Sequence, residues 1–160
     1  MLSNKTVLEV IEKYEYSRQN ILFILHELQK KDKENCIREE YANIIRDNMN
    51  IMMSEIYDIL TFYSMFNEDP KGKYIIEVCN SGPCFIREGK NLVKDLEDIL
   101  KVKVGETTKD GLFTIKYTSC IGACDKAPAF KIGENIYGNL TKDKITSIIQ
   151  ELKEDITWRN

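Results

Sequence analysis

The sequence predicts an α+β fold, a helical bundle followed by an α/β unit. Three observations predict it. Residues 1–69 contain neither Gly nor Pro and carry only helical periodicity. A polar stretch, Asn67-Glu68-Asp69-Pro70-Lys71-Gly72, then interrupts the pattern. Beyond it, short β-branched runs alternate with amphipathic segments. The expected domains are therefore residues 1–70, helical, and residues 71–160, α/β.

The elements follow in order. A first helix is expected over residues 6–16. Ile21, Leu22, Ile24, Leu25 and Leu28 recur at the spacing of one helix face. Ile37, Tyr41, Ile44 and Ile45 mark another short helix, and Ser54 is a plausible cap for one running through Ile56, Ile59, Leu60 and Tyr63. After the break, Lys73-Tyr74-Ile75-Ile76-Glu77-Val78 reads as a strand that delivers Cys79 at its end. Leu92, Val93, Leu96, Ile99 and Leu100 mark an amphipathic helix. Asp110-Gly111 is a turn signal, because both residues tolerate positive φ. Residues 112–119 form a second strand, with Phe113, Ile115 and Tyr117 on one face. Residues 129–137 read as a hairpin around Gly133-Glu134-Asn135, and Thr141 caps a last helix that buries Ile145, Ile148, Ile149 and Leu152. Strand, helix, strand, hairpin, helix suits a thioredoxin-like sheet covered by helices.

Composition excludes several functions. The chain is 42% hydrophobic and 31% charged, as expected of a globular protein. Its net charge is -3, so it lacks the basic footprint that nucleic acid requires. No apolar run approaches the roughly 18 residues of a membrane span, and the first residues do not resemble a signal peptide. The expected location is the cytoplasm, where five cysteines do not form a disulfide framework.

Four of those cysteines form two pairs, Cys79-x4-Cys84 and Cys120-x3-Cys124, each placed after a predicted strand in a Gly-containing loop. Strand ends fix where the loops begin, and glycine lets backbone N–H groups approach sulfur. Spacing alone leaves three readings open. Iron–sulfur is favoured because plant-type ferredoxins also begin with C-x4-C; zinc, usually held by C-x2-C pairs, and unliganded thiols are the others. No C-x-x-C is present, which disfavours a thioredoxin-type dithiol.

Cys120-Ile121-Gly122-Ala123-Cys124-Asp125-Lys126-Ala127-Pro128 resembles the C-[LI]-G-A-C-x-x-A-P segment of the thioredoxin-like [2Fe-2S] ferredoxin family. Tyr137-Gly138-Asn139-Leu140 resembles that family's Y-G-x-L. In the helical half, Thr61-Phe62-Tyr63-Ser64-Met65-Phe66 resembles its T-F-Y-x-x-F and Leu25-His26-Glu27-Leu28-Gln29 its L-H-x-x-Q. The first loop departs from the commoner pattern, with Ser81-Gly82-Pro83 where many members have Gly-Thr, and Phe85 where His or Trp is frequent.

The resemblance implies that Cys79, Cys84, Cys120 and Cys124 ligate a [2Fe-2S] cluster. It implies a non-catalytic electron-transfer subunit of an NAD(P)-linked oxidoreductase, with FMN and NAD(P) held only by a larger iron–sulfur partner and a further catalytic iron–sulfur subunit beside it. The chain itself has no Gly-rich dinucleotide fingerprint. Lys-, Ile- and Asn-rich composition fits an AT-rich bacterial genome and leans toward a soluble, electron-bifurcating hydrogenase. The equivalent subunits of respiratory complex I or an NAD-dependent formate dehydrogenase are the alternatives, and a zinc-stabilised interaction module is the rival from another class. Cys36 is expected to be a packed spare thiol and His26 a structural residue, while residues 30–40 read as a solvated charged face. Phe62, Tyr63 and Phe66 suit either a core or a docking surface.

Overall fold

The computed structural model describes residues 1–157, in two compact units, Met1–Lys73 and a second beginning at Tyr74. Residues 71–73 go with the helices rather than the sheet, because the Lys71 N–H donates to the Glu34 carbonyl at 2.7 Å and the Asn35 amide donates to Gly72 O at 2.8 Å.

The first unit contains α1 (Asn4–Lys13), α2 (Ile21–Lys31), α3 (Glu39–Met49) and α4 (Met53–Phe62). Ser3 caps α1 by accepting from the Thr6 N–H at 3.2 Å. The helix stops short of residue 16 because Glu15 and Tyr16 turn the chain through positive φ. Ser54 does not cap α4, which starts one residue before it. The Glu55 carboxylate instead accepts from the Met52 N–H at 3.3 Å. Val10, Ile11, Ile24, Leu25, Leu28, Ile45, Ile56 and Leu60 form the common core. Gln29 explains why two separated motifs occur together. Its amide donates to Met65 O and its carbonyl accepts from Asn67 N–H, both at 2.8 Å, so one side chain pins the segment after α4. The aromatic run divides accordingly: Phe66 is buried, while Phe62 is 79% exposed.

One charged residue of the stretch 30–40 is buried. Asp32 is buried, where it accepts from the Tyr41 hydroxyl, the Arg38 guanidinium at 3.3 Å and the Glu34 N–H at 2.8 Å. Burial opposes its charge, but these donors outweigh that and hold its carboxyl below the ordinary range. A depressed folded pKa stabilises the fold fully above the unfolded value near ~3.9, and that contribution disappears as pH falls through the folded value. Asp32→Asn is therefore expected to cost about 2–3 kcal/mol at pH 7, by leaving donors unpaired, and to flatten the acid limb of the stability curve. Urea midpoints followed by circular dichroism at pH 7 and pH 3.5 check this; a variant as acid-sensitive as the wild type would contradict it.

The second unit contains β1 (Tyr74–Cys79), α5 (Gly82–Cys84), α6 (Lys90–Leu100), β2 (Phe113–Thr118), β3 (Phe130–Ile132), β4 (Asn135–Tyr137) and α7 (Lys142–Thr157). The sheet order is β2-β1-β3-β4. β1 and β2 are parallel, from Tyr74↔Phe113 to Cys79↔Thr118, with α6 in the crossover between them; β3 and β4 complete an antiparallel hairpin beside β1. Alternation makes the sheet two-faced. Ile76, Val78, Phe113, Ile115, Phe130 and Ile132 pack with Leu92, Leu96 and Leu100 of α6 and Ile145 and Ile149 of α7. Glu77 and Lys131, paired across β1 and β3, form an ion pair at 3.1 Å. Tyr117 has the period of the buried face, yet it is 47% exposed near the end of β2, as the strand leaves the helical cover.

No described helix is long and apolar enough to cross a membrane.

Candidate metal centre

Parallel pairing decides where the cysteines fall. Because Cys79 aligns with Thr118, β1 and β2 end together, and the segments carrying Cys84 and Cys120 leave the sheet side by side. The first segment is not the open loop that its glycine and proline suggest. Gly82–Cys84 is one helical turn, continued by a π-turn over Phe85–Gly89 into α6. Pro83 suits the first turn of a helix, where its missing N–H is not needed within the helix. Cys84 thus sits on a helical turn. The second segment bends at Gly122, whose φ of 78° lies in the region that favours glycine, and it places Cys124 at the start of a 3-10 turn, Cys124–Lys126.

The thiols come together as two pairs. Cys120 and Cys124 have their Sγ atoms 3.8 Å apart, and Cys79 and Cys84 are hydrogen-bonded to each other. Cys79 and Cys84 are buried, Cys124 is half-buried and Cys120 is exposed. Ala123, Ala127 and Ala129 pack around the buried pair. Their short side chains allow backbone to approach sulfur closely.

Donors surround the buried pair. Cys79 Sγ accepts from the backbone N–H groups of Ser81 and Ile121 and from the Ser81 hydroxyl. Burial opposes its ionisation, but these bonds and the Cys84 thiol outweigh that and lower its pKa. Cys84 goes the other way. Burial first, then its hydrogen bond to Cys79, pushes its thiol up to about 11, with the Ala129 N–H opposing. Cys124 is raised by its hydrogen bond to Cys120 and by that neighbour's charge.

The arrangement discriminates between metals. Tetrahedral zinc, with Zn–S of about 2.3 Å, brings all four sulfurs to within about 3.8 Å of one another. Among the described residues, the group of three or more metal-binding side chains with donor atoms all within 4.8 Å is Asp32, Glu34 and Cys36; no three of the four centre cysteines meet that limit. Two separated pairs are what a binuclear core requires, one pair for each iron. Four thiols, small residues and inward N–H donors fit such a core. In the Asp32 group, Arg38 holds both carboxylates, which explains their proximity without a metal.

Cys36 and His26 belong to the first unit. Cys36 is buried in the helical core, and burial raises its pKa. His26 is exposed on α2 rather than held inside. Phe130 lies in the sheet core against Tyr137, with ring centroids 5.4 Å apart, whereas Phe85 is half exposed. Sequence reasoning missed the N–H groups of Ile121 and Ala129, which no side chain announces. It also missed the role of Gly138. A Cβ there would lie 2.5 Å from Lys126 Cβ and 2.7 Å from Lys126 O.

Paired thiols follow the ends of two parallel strands, on a sheet covered by two helices. Residues 7–153 match the model of the thioredoxin-like [2Fe-2S] ferredoxin family. The NADP-reducing hydrogenase subunit HndA of Solidesulfovibrio fructosivorans is 31% identical over 92% of this chain and 85% of its own. One of the subunits of the NADH-quinone oxidoreductase of Rickettsia conorii is 33% identical over 92% of this chain and 89% of its own. The fold matches a chain of an NAD+-reducing [NiFe]-hydrogenase in its air-oxidised state, with a TM-score of 0.73 at 21% identity, over 86% of this chain. This chain spans only 23% of that one. The protein belongs to the thioredoxin-like [2Fe-2S] ferredoxin family, and its cofactor is a [2Fe-2S] cluster.

Proposed function

We propose that Cys79, Cys84, Cys120 and Cys124 hold this cluster, and that the chain is the electron-carrying small subunit of an NAD(P)-linked flavin oxidoreductase. The proposed parent is a soluble hydrogenase. The observation that carries the reading is the division of four thiols into two pairs, one buried under N–H donors and one reaching the surface. When bound, the cluster supplies exchange of one electron at a time. The protein's part is to hold thiolates, exclude water and stabilise charge. Buried Cys79 and Cys84 anchor the centre inside, where N–H dipoles offset its negative charge. Exposed Cys120 brings its edge to the surface, where a partner can come close.

Support for the parent comes from the relatives, whose names describe subunits of an NADP-reducing hydrogenase and of an NADH-quinone oxidoreductase. Both are nicotinamide-linked, yet this sequence has no Gly-rich nucleotide fingerprint. Hydride chemistry and FMN therefore belong to a larger partner, and hydrogen chemistry to a further iron–sulfur subunit. On this reading the present chain is necessary to the complex without being an enzyme alone. We further propose that residues 1–73 and the sheet unit are separate domains and that the complex works in the cytoplasm.

The test is anaerobic purification of the tagged chain from its own cells, followed by electron paramagnetic resonance. The expected result is co-purification with a larger flavin-containing subunit and a cluster signal that develops with NADH or NADPH. Hydrogen should produce the same signal in a hydrogenase, and quinol-linked partners would assign the chain to a complex I instead. A chain purified alone, with no nicotinamide-dependent signal, would contradict the role.

A further inference from the structure

We propose that the π-turn over Phe85–Gly89 is a positioning device for the Cys84 ligand. Its extra residue turns Cys84, in place of Phe85, onto the buried side of the helix, and Gly89 makes that turn possible. The inference rests on the ligand assignment above and deepens it.

Residues 82–100 are one continuous helical run, because Gly82–Cys84, the π-turn and α6 follow without a gap. Phe85 and Gly89, at the two junctions, both have right-handed helical backbone. The far end of the run is fixed. Leu92, Leu96 and Leu100 are buried with the sheet residues, which sets the rotation of α6 about its axis. In an unbroken α-helix, at about 100° per residue, Phe85 would point midway between Leu92 and Leu96, and Cys84 about 100° to one side. The burial is the reverse: Phe85 is 50% exposed and Cys84 only 2%. The π-turn accounts for the exchange. Its N–H groups donate five residues back instead of four, so one more residue fits into the turn. Each position before it is thereby moved one step around the axis, and Cys84 takes the direction that Phe85 would have had.

Gly89 closes the turn. Its φ of -54° is ordinary for a helix, so no backbone strain calls for glycine here. Space does. A Cβ at this position would lie 2.6 Å from the Cys84 carbonyl oxygen and 3.1 Å from its carbonyl carbon. A methyl group must therefore push away the backbone that carries the ligand sulfur. Glycine is otherwise a weaker helix former than alanine, so its place in this run follows from the close approach.

The test reconstitutes the full chain with iron and sulfide. It measures iron per chain, the electron paramagnetic resonance of the reduced cluster, and helicity by circular dichroism. Deletion of Glu88 leaves an α-turn, returns Phe85 to the buried side and swings Cys84 off it. Iron per chain is expected to fall by roughly tenfold or more while helicity is kept. Adding Cys84→Phe and Phe85→Cys to the deletion returns a thiol to the buried side, and iron should recover close to wild type. The same exchange without the deletion should stay empty. A merely structural turn would not be rescued by moving the thiol one position. In Gly89→Ala helix propensity improves, yet the cluster should lose iron to a chelator roughly tenfold faster, with a shifted resonance. The proposal is overturned by a deletion chain that fills normally, or by an exchanged deletion that folds but stays empty. Wild-type cluster lifetime and resonance in Gly89→Ala would overturn it as well, and that variant decides alone if the deletion unfolds the chain. Cys84→Ala separates the two readings. A cluster that survives it overturns the ligand assignment and this inference together, whereas one lost there but kept in the deletion overturns this inference alone.

Discussion

Replacing Cys124 with alanine is expected to abolish the visible absorption of the anaerobically purified chain and to loosen the segment from Cys120 to Ala129. The reason lies in how little apolar burial holds that segment. Its buried side chains are Ala123, Ala127 and Ala129, which remove little apolar surface from water. Ordering each backbone residue costs about 1–2 kcal/mol, and the helical turn of Cys124–Lys126 recovers only part of that. Metal–thiolate bonding is of the required size, since structural zinc sites contribute roughly 10–16 kcal/mol. On the proposed assignment, Cys124 and Cys120, with sulfurs 3.8 Å apart, would hold one side of the cluster together, and the substitution would remove one of those two thiolates. Absorbance together with amide exchange over residues 120–129 checks both halves of the expectation. Cys36→Ser is the control, because that thiol lies in the other unit and should leave the spectrum unchanged. An intact spectrum in Cys124→Ala would show that this sulfur is not a ligand.

Gly138→Ala is the second large effect. Gly138 has no positive φ to justify it; it is there for close approach. A methyl group would enter to 2.5 Å from Lys126 Cβ and 2.7 Å from Lys126 O, far inside contact distance. Lys126 O is also the acceptor of the Asn139 N–H at 2.6 Å, and the Leu140 N–H reaches Pro128 O. Residues 138–140 therefore clamp the cysteine segment from behind, and the added methyl must spread the clamp. Overpacking of this kind costs about 1–3 kcal/mol, and the strained hydrogen bond adds about 1 kcal/mol. The expected outcome is a melting temperature lower by several degrees, with loss of iron to a chelator accelerated at least severalfold. Chelation followed by absorbance measures this. A variant that keeps both melting temperature and cluster lifetime would show that the clamp is slack.

Much of this could be read from residue types. Helical periodicity without Gly or Pro marked the first unit, and β-branched runs ending at Cys79 and near Cys120 marked the strands that aim the centre. Such features are local, so the sequence carries them. What escaped depends on tertiary contact. Asp32 lies in a charged run yet is buried, because Tyr41 beyond that run and Arg38 within it supply its donors. Ser54 looked like a cap, but the Glu55 carboxylate satisfies the Met52 N–H and moves the helix start. Phe62 and Phe66 share a motif and take opposite environments, because Gln29 pins the chain between Met65 and Asn67. The first cysteine pair looked like a glycine loop, and Gly82–Cys84 in fact forms a helical turn with Pro83 inside it. The N–H groups of Ile121 and Ala129 carry no residue signature, since any residue but proline has one.

The most direct measurement is native mass spectrometry of the chain purified without oxygen. Two irons and two sulfides on each intact chain, lost together in Cys79→Ala, Cys84→Ala, Cys120→Ala and Cys124→Ala alike, is the expected result. A single zinc, or a full cluster that survives the removal of any one of these sulfurs, would contradict it.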